Sequence, residues 1–239
     1  MRTLFVTSSG TGIGKTFVMR SLIGHLANEG RRVEAFKPVV SGFDPAAPSV
    51  GDTGALLEAL DAPLCPESVE RVSPWRFGAP LSPDMAASRE GRRIDFDGLV
   101  GYCRDRLAED TDVALIEGIG GVMVPLDERH TVLDWIVALE MPTLLVVGSY
   151  LGTLSHTLSA ATALRERGVA LRVVVSESEE SPVPLSETLS TLVRHLPRID
   201  ICALPRSRGG RQPARAELDR LVQVCWPTSG AAAGPGIRS

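Results

Sequence analysis

The chain has 239 residues, 44% of them apolar and 23% charged, with a formal net charge of −4. That length is within reach of one α/β core, and no apolar run approaches the roughly 20 residues that a bilayer-spanning helix needs, so a membrane span is not expected. The mild acidity argues against a nucleic-acid partner, because such binding draws on Lys and Arg neutralising phosphates, so any anionic ligand must be caught locally.

Leu4-Phe5-Val6 is a short apolar run that stops at the glycine-rich stretch Thr7 to Gly14, and Thr16 to Glu29 then carries helical periodicity through Val18, Leu22 and Leu26. This reads as strand, loop, helix. Gly30 ends the helix, and Arg32 to Phe36 forms a second strand that stops at Lys37-Pro38. Residues 40–83 are rich in Pro, Gly and Asp, with one clear helix near 52–60, and read as loops over the strand ends. Further strands are predicted at Val113–Ile116, Thr143–Val147, Leu171–Val175 and Ile199–Leu204, separated by helices near 95–109, 131–140, 154–167 and 184–196. Strands that are apolar on both faces and alternate with helices predict a doubly wound α/β fold, a mostly parallel sheet with helices on both faces. Residues 1–226 read as a single such domain, and Pro227 to Ser239 as a disordered tail too poor in apolar residues to offset ordering. Cys65, Cys103, Cys202 and Cys225 are far apart, with no C-x-x-C pair, and read as free thiols. With no secretory h-region after Met1-Arg2-Thr3, a cytoplasmic location is expected.

Chemistry concentrates at Ser9-Gly10-Thr11-Gly12-Ile13-Gly14-Lys15-Thr16. Glycines let successive backbone N–H groups converge on an anion, and the helix that follows adds the positive end of its dipole. Lys15 is expected to reach the β- and γ-phosphates of a nucleoside triphosphate, and the Thr16 hydroxyl to ligate Mg2+. The strict pattern G-x-x-x-x-G-K-[ST] has glycine where this chain has Ser9; the strand-to-helix setting, with Gly10 and Gly12 close by, compensates. Magnesium held on phosphates takes one or two carboxylates. Glu117 closes a strand and precedes Gly118-Ile119-Gly120-Gly121, and Asp52 opens a helix, where it reads either as an N-cap or as a second acid of the metal set. Lys37, followed by Pro38-Val39-Val40-Ser41-Gly42, brings a second cation to the same sheet edge, suited to charge neutralisation during phosphoryl transfer. His25, His130, His156 and His195 show no spacing that implies a metal or a nucleophile's base.

Taken together, the loop Thr7–Thr16, Lys37 to Gly42, Asp52, Ala79-Pro80-Leu81-Ser82-Pro83, Glu117 to Gly121 and Leu151 to His156 occur in an order that resembles the dethiobiotin synthetases, over residues 3 to 210. The resemblance implies a homodimeric enzyme that uses ATP and Mg2+ to join CO2 to 7,8-diaminononanoate. A carbamate attacks the γ-phosphate, and the second amine closes the ureido ring by displacing phosphate. It implies catalytic roles for Lys37 and Lys15, and nucleotide contacts from Thr11, Gly12, Ile13, Gly14, Thr16 and Phe17. The metal set would be Thr16, Asp52 and Glu117. Ser41 and the stretch Gly118, Ile119, Gly120 and Gly121 would bind the diamine, and Gly152, Thr153, Leu154 and Ser155 the substrate carboxylate from the partner subunit. The adenine pocket would be lined by Ser176, Glu177, Pro205, Arg206 and Ser207. Several positions depart from the family pattern: Gly10 replaces an acid or amide, Ser155 an asparagine, Thr188 a tyrosine, and Ser176 the asparagine that reads adenine. A serine cannot supply the paired donor and acceptor of an amide, so relaxed base preference is expected, with other triphosphates accepted. Two rivals share the loop. A ParA/MinD-like switch ATPase needs an extra lysine early in the loop, absent here, and an amide-forming enzyme of corrin synthesis generally carries a glutaminase domain for which this length leaves little room.

Overall fold

A computed structural model of the protein describes residues 1–206 and 213–227. In chain order the elements are β1 (Arg2–Ser8), α1 (Lys15–Asn28), β2 (Val33–Phe36), β3 (Val39–Ser41), α2 (Asp52–Ala59), α3 (Pro66–Val72), β4 (Trp75–Phe77), α4 (Pro83–Arg89), α5 (Phe96–Leu107), β5 (Val113–Glu117), α6 (Val132–Leu139), β6 (Thr143–Val147), α7 (Thr153–Glu166), β7 (Leu171–Ser176), α8 (Leu185–His195), β8 (Ile201–Leu204) and α9 (Arg215–Cys225). Six strands form one sheet in the order β2-β5-β1-β6-β7-β8, and every pairing in it is parallel.

Strand alternation divides the core. Leu4, Val6, Leu115, Leu144, Val146 and Val174 pack on one face with Val18, Leu22 and Leu26 of α1, Leu56 of α2 and Leu221 of α9. Phe5, Ile116, Leu145, Val147 and Val173 pack on the other with Leu99 of α5, Trp135 of α6 and Leu164 of α7. Burial on both faces explains why these strands read as unbroken apolar runs and not as alternating ones.

Residues 40–83 are more ordered than their composition predicts. Val39–Ser41 pairs in parallel with Trp75–Phe77 as a separate two-stranded sheet, and α3 lies between those strands in sequence. Strands of three residues carry too little period-2 signal to be seen in a single sequence. The helices α4 and α9 were likewise not read from the sequence, and β8 begins at Ile201, two residues later than predicted. All of the tail expected at residues 227–239 except Pro227, and the nucleotide-site residue Ser207, lie outside the described residues.

Register sets the site. β2 pairs with β5 so that Phe36 stands opposite Ile116, and β1 pairs with β5 so that Val6 stands opposite Glu117. The chain positions that follow, Lys37 after β2 and the phosphate loop after β1, therefore leave the sheet at its carboxyl edge on either side of Glu117. Ligands of open α/β sheets bind at that edge.

Candidate active site

The phosphate loop rests on backbone conformations that favour glycine. Gly12 has φ +73° and Gly14, the N-cap of α1, has φ +98°, a region costly to residues with a Cβ. The second glycine stretch lies directly against it: a Cβ on Gly121 would stand 3.3 Å from the backbone of Gly10. Ser8, which the sequence reading passed over, joins the two. Its Oγ, with one proton, lies within hydrogen-bonding distance of the backbone oxygens of both Gly10 and Gly120, and it receives a hydrogen bond from Lys15 Nζ at 3.1 Å. Its only sequence signal is its place within the Thr7–Thr16 stretch, where β1 ends, just before the Ser9–Thr16 motif. Lys15 Nζ also donates to the Gly120 carbonyl oxygen at 2.9 Å. Burial pushes the Lys15 amine down to about 8; the nearby Lys37 acts in the same direction, and Glu117 and Asp52 act against them.

Two acids and a second lysine complete the cluster. Glu117 is fully buried, and Lys37 Nζ lies 2.7 Å from its Oε1 and also donates to Asp52 Oδ2. Burial alone would lower the Lys37 amine, but the two carboxylates outweigh it, so its pKa is raised and the ammonium is retained. Asp52 is depressed below the usual carboxylate range: burial raises it, and Lys37, with help from Thr16 and Lys15, overcomes that. Gly51 is the N-cap of α2, with no side-chain cap, so Asp52 is not the cap residue.

Thr16 Oγ1 lies 2.8 Å from Asp52 Oδ1 and 2.8 Å from Glu117 Oε1. One hydroxyl proton cannot serve both acceptors fully. Oxygens about 2.9 Å apart are, however, the spacing of neighbouring ligands around a hard cation with metal–oxygen bonds of about 2.0–2.1 Å. Glu117 Oε2 is buried without a hydrogen-bond partner, a further unmet acceptor at the same place. Thr16, Asp52 and Glu117 thus fit a hard divalent cation such as Mg2+.

These groups line one cavity of about 400 Å³, and every residue in its wall was singled out from the sequence: Thr11, Gly12, Ile13, Gly14, Lys15, Thr16, Lys37, Ser41, Asp52, Glu117, Ile119 and Gly120. Phe17 is on α1 outside that lining, and Gly118 packs beneath it, where a Cβ would meet the Phe5 ring at 2.9 Å. Ser176 is buried with its hydroxyl against Gly14, and the Glu177 carboxylate accepts a hydrogen bond from the Arg206 backbone at 2.8 Å, so the strand ends carrying Ser176, Glu177, Pro205 and Arg206 are tied together. Gly152 caps α7 in a left-handed conformation and Thr153 bonds back to Gly148 O at 2.7 Å. Leu154 and Ser155 are exposed there, and this stretch does not line the cavity of its own chain.

A glycine loop between β1 and α1, a loop lysine, and a Thr/Asp/Glu set at the carboxyl edge of a parallel sheet define a P-loop nucleoside triphosphatase. Solved structures agree on the fold: the MinD cell division protein of Aquifex aeolicus covers 94% of this chain and 96% of its own with a TM-score of 0.58 at 12% identity. A plasmid partition protein of Borrelia burgdorferi covers 93% and 97% with a TM-score of 0.54 at 10% identity. A family model described as an AAA domain matches residues 2–211. The ATP-dependent dethiobiotin synthetase BioD of Acidiphilium cryptum is 49% identical over 82% of this chain and 89% of its own length. Its counterpart in Caulobacter vibrioides is 46% identical over 93% and 100%. The chain belongs to the ATP-dependent dethiobiotin synthetase family.

Proposed function

We propose that the protein is a dethiobiotin synthetase of biotin biosynthesis, which converts 7,8-diaminononanoate, CO2 and ATP into dethiobiotin, ADP and phosphate, and that it works as a homodimer. The observation that carries this reading is the convergence of Lys37, Asp52, Glu117 and Thr16 on the mouth of the phosphate loop. Carbamate formation consumes one amine and CO2 and releases a proton. The carbamate oxygen then bonds to the γ-phosphorus as the bond to ADP breaks. The second amine attacks the carbamoyl carbon, expelling phosphate and closing the ring. The protein's task in these steps is to position the reactants and neutralise charge.

Lys15 and the loop amides hold the phosphates. Thr16, Asp52 and Glu117 would hold Mg2+, which when bound neutralises the phosphate oxygens. Lys37, released from its two carboxylates, offers its ammonium to the carbamate and the migrating phosphoryl group. Ser41, Ile119 and Gly120, on the cavity wall, suit the diamine end. The amides at the start of α7, which this chain does not use in its own cavity, suit the substrate carboxylate bound by a partner subunit. Mass spectrometry of a reaction containing the protein, ATP, Mg2+, bicarbonate and the diamine tests the reading. The cyclic urea is expected, dependent on bicarbonate, and its absence would overturn the assignment.

Two further results are expected. Ser176 has one hydroxyl, packed near Gly14, in place of an amide able to pair with adenine, and the Glu177 carboxylate is engaged by the Arg206 backbone. Turnover with ATP, CTP and GTP should therefore agree within about tenfold, whereas a site built to pair with a base discriminates by ~10⁴ or more; a hundredfold preference for ATP would refute this. The second concerns protons. With the Lys15 amine at about 8 before phosphate binds, and raised by the bound phosphates, nucleotide binding should take up protons above pH 8 and none at pH 6. Calorimetry at pH 8.5 in two buffers of different ionisation heat reads the uptake, and Lys15→Met should abolish it. Equal heats in the two buffers for the unmutated protein would contradict the assignment.

A further inference from the structure

The histidines have no metal-ligand spacing among themselves, yet one gains ligand partners in space. His25 is in the last turn of α1, Glu29 is the C-cap residue of that helix, and Asp219 belongs to α9. The His25 side chain is 7% exposed, and those of Glu29 and Asp219 are 38% and 45% exposed. One ligand atom from each lies within 4.8 Å of the other two.

Distance alone suggests an ion pair, since His25 Nε2 is 2.9 Å from Asp219 Oδ1 and 3.7 Å from Glu29 Oε1. Direction says otherwise. Nε2 is buried and makes no hydrogen bond, so the Asp219 oxygen lies close to it but off the line along which the ring nitrogen bonds. Two ligands of one ion are related in this way. With metal–ligand bonds of about 2.0–2.2 Å, neighbouring ligand atoms stand ~2.9–3.6 Å apart, each aimed at the ion and not at its neighbour; His25 and Asp219 have that spacing, and Glu29, at 3.7 Å from His25, stands just outside it. Glu29 adds an independent observation: it puts a carboxylate at the C-terminal end of a helix, where the macrodipole disfavours negative charge and a cation is favoured.

We propose that His25, Glu29 and Asp219 form a binding site for a divalent transition-metal ion of the zinc class, which clips α9 to the C-terminal end of α1. One imidazole and two carboxylates suit such an ion in donor type, with water completing the shell. The two partly exposed acids give it a path from solvent. The site lies about 15 Å along α1 from Lys15 by helical rise, and none of its residues lines the nucleotide cavity. It joins the helix that starts at the phosphate loop to α9, so its expected effect is on the stability of that packing.

Zn2+ added to the untagged, metal-stripped full chain should bind at one ion per chain at this site. It should raise the melting temperature by roughly 5–10 °C at a hundredfold excess over Kd. Asp219→Asn, a change at a half-exposed position, should weaken this binding by more than the ~10–100-fold typical of outer-shell substitutions. His25→Gln should abolish it, and Glu117→Gln, in the other site, should leave it intact. Failure of the chain to bind Zn2+ overturns the proposal. So does Zn2+ binding that survives Asp219→Asn but is lost in Glu117→Gln, which would put the ion in the nucleotide cavity. Neither measurement depends on dethiobiotin formation, so this inference and the proposed function stand or fall separately.

Discussion

Lys37→Ala is expected to slow dethiobiotin formation by about 10²–10³, the range for losing one preorganised electrostatic group, while leaving the nucleotide's phosphate contacts in place. Lys37 is 4% exposed and spans Glu117 and Asp52, and those two carboxylates keep it charged against the cost of burial. Its removal has a second consequence. Glu117, with no exposed surface, is left without its counter-ion, and an uncompensated buried charge costs about 3–5 kcal/mol. The variant should therefore melt lower than the unmutated protein without Mg2+ and recover much of the difference with it. Lys15→Ala should behave differently, weakening triphosphate binding itself. Steady-state kcat and KM for ATP, with melting curves with and without Mg2+, separate the two. A Lys37→Ala enzyme with full turnover would remove this lysine from the reaction.

A loss of stability as large, with no charge involved, is expected at Trp135. It is fully buried on α6, and its ring meets Phe5 of β1 edge to face, with centroids 4.9 Å apart and planes at 88°. The same Phe5 ring sits where a Cβ on Gly118 would come within 2.9 Å, so the pair supports the floor beneath Glu117 and its glycines. Replacing Trp135 with Ala leaves a cavity that the sheet and α6, pinned by the Thr131/Asp134 capping box, cannot close without moving. The expected loss is about 3–5 kcal/mol, or on the order of 10 °C in melting temperature for a domain of this size. Trp135→Phe should keep much of it. Chemical denaturation gives the figure, and a loss below about 1 kcal/mol would show that this contact does not organise the core.

Much of the site was legible from the sequence because its backbone chemistry is local. Ser9 to Thr16 announces an anion cradle through glycines that can adopt positive φ and a lysine at the head of a helix, and it does so with no information from elsewhere in the chain. Glu117, at the end of an apolar run and before Gly118, is readable for the same reason. The doubly wound fold follows from apolar strands alternating with helices. Short elements were not readable in this way: β3 and β4 exist because they pair with each other across 33 intervening residues, and neither run carries its own signal.

The tertiary structure decided which distant groups meet. Nothing near Lys37 specifies that it will lie against Glu117, 80 residues away; that follows from the parallel register of β2 on β5, which the buried apolar faces of the whole sheet enforce. Asp52 could have been a helix cap on local grounds, and only the packing of α2 beside α1 turns its carboxylate toward Thr16. His25 and Asp219 are nearly two hundred residues apart and come together only when α9 closes on α1. Backbone preference is a property of a few neighbouring residues and is written in order along the chain, whereas the approach of charged side chains is a property of the packed core and is written nowhere in particular.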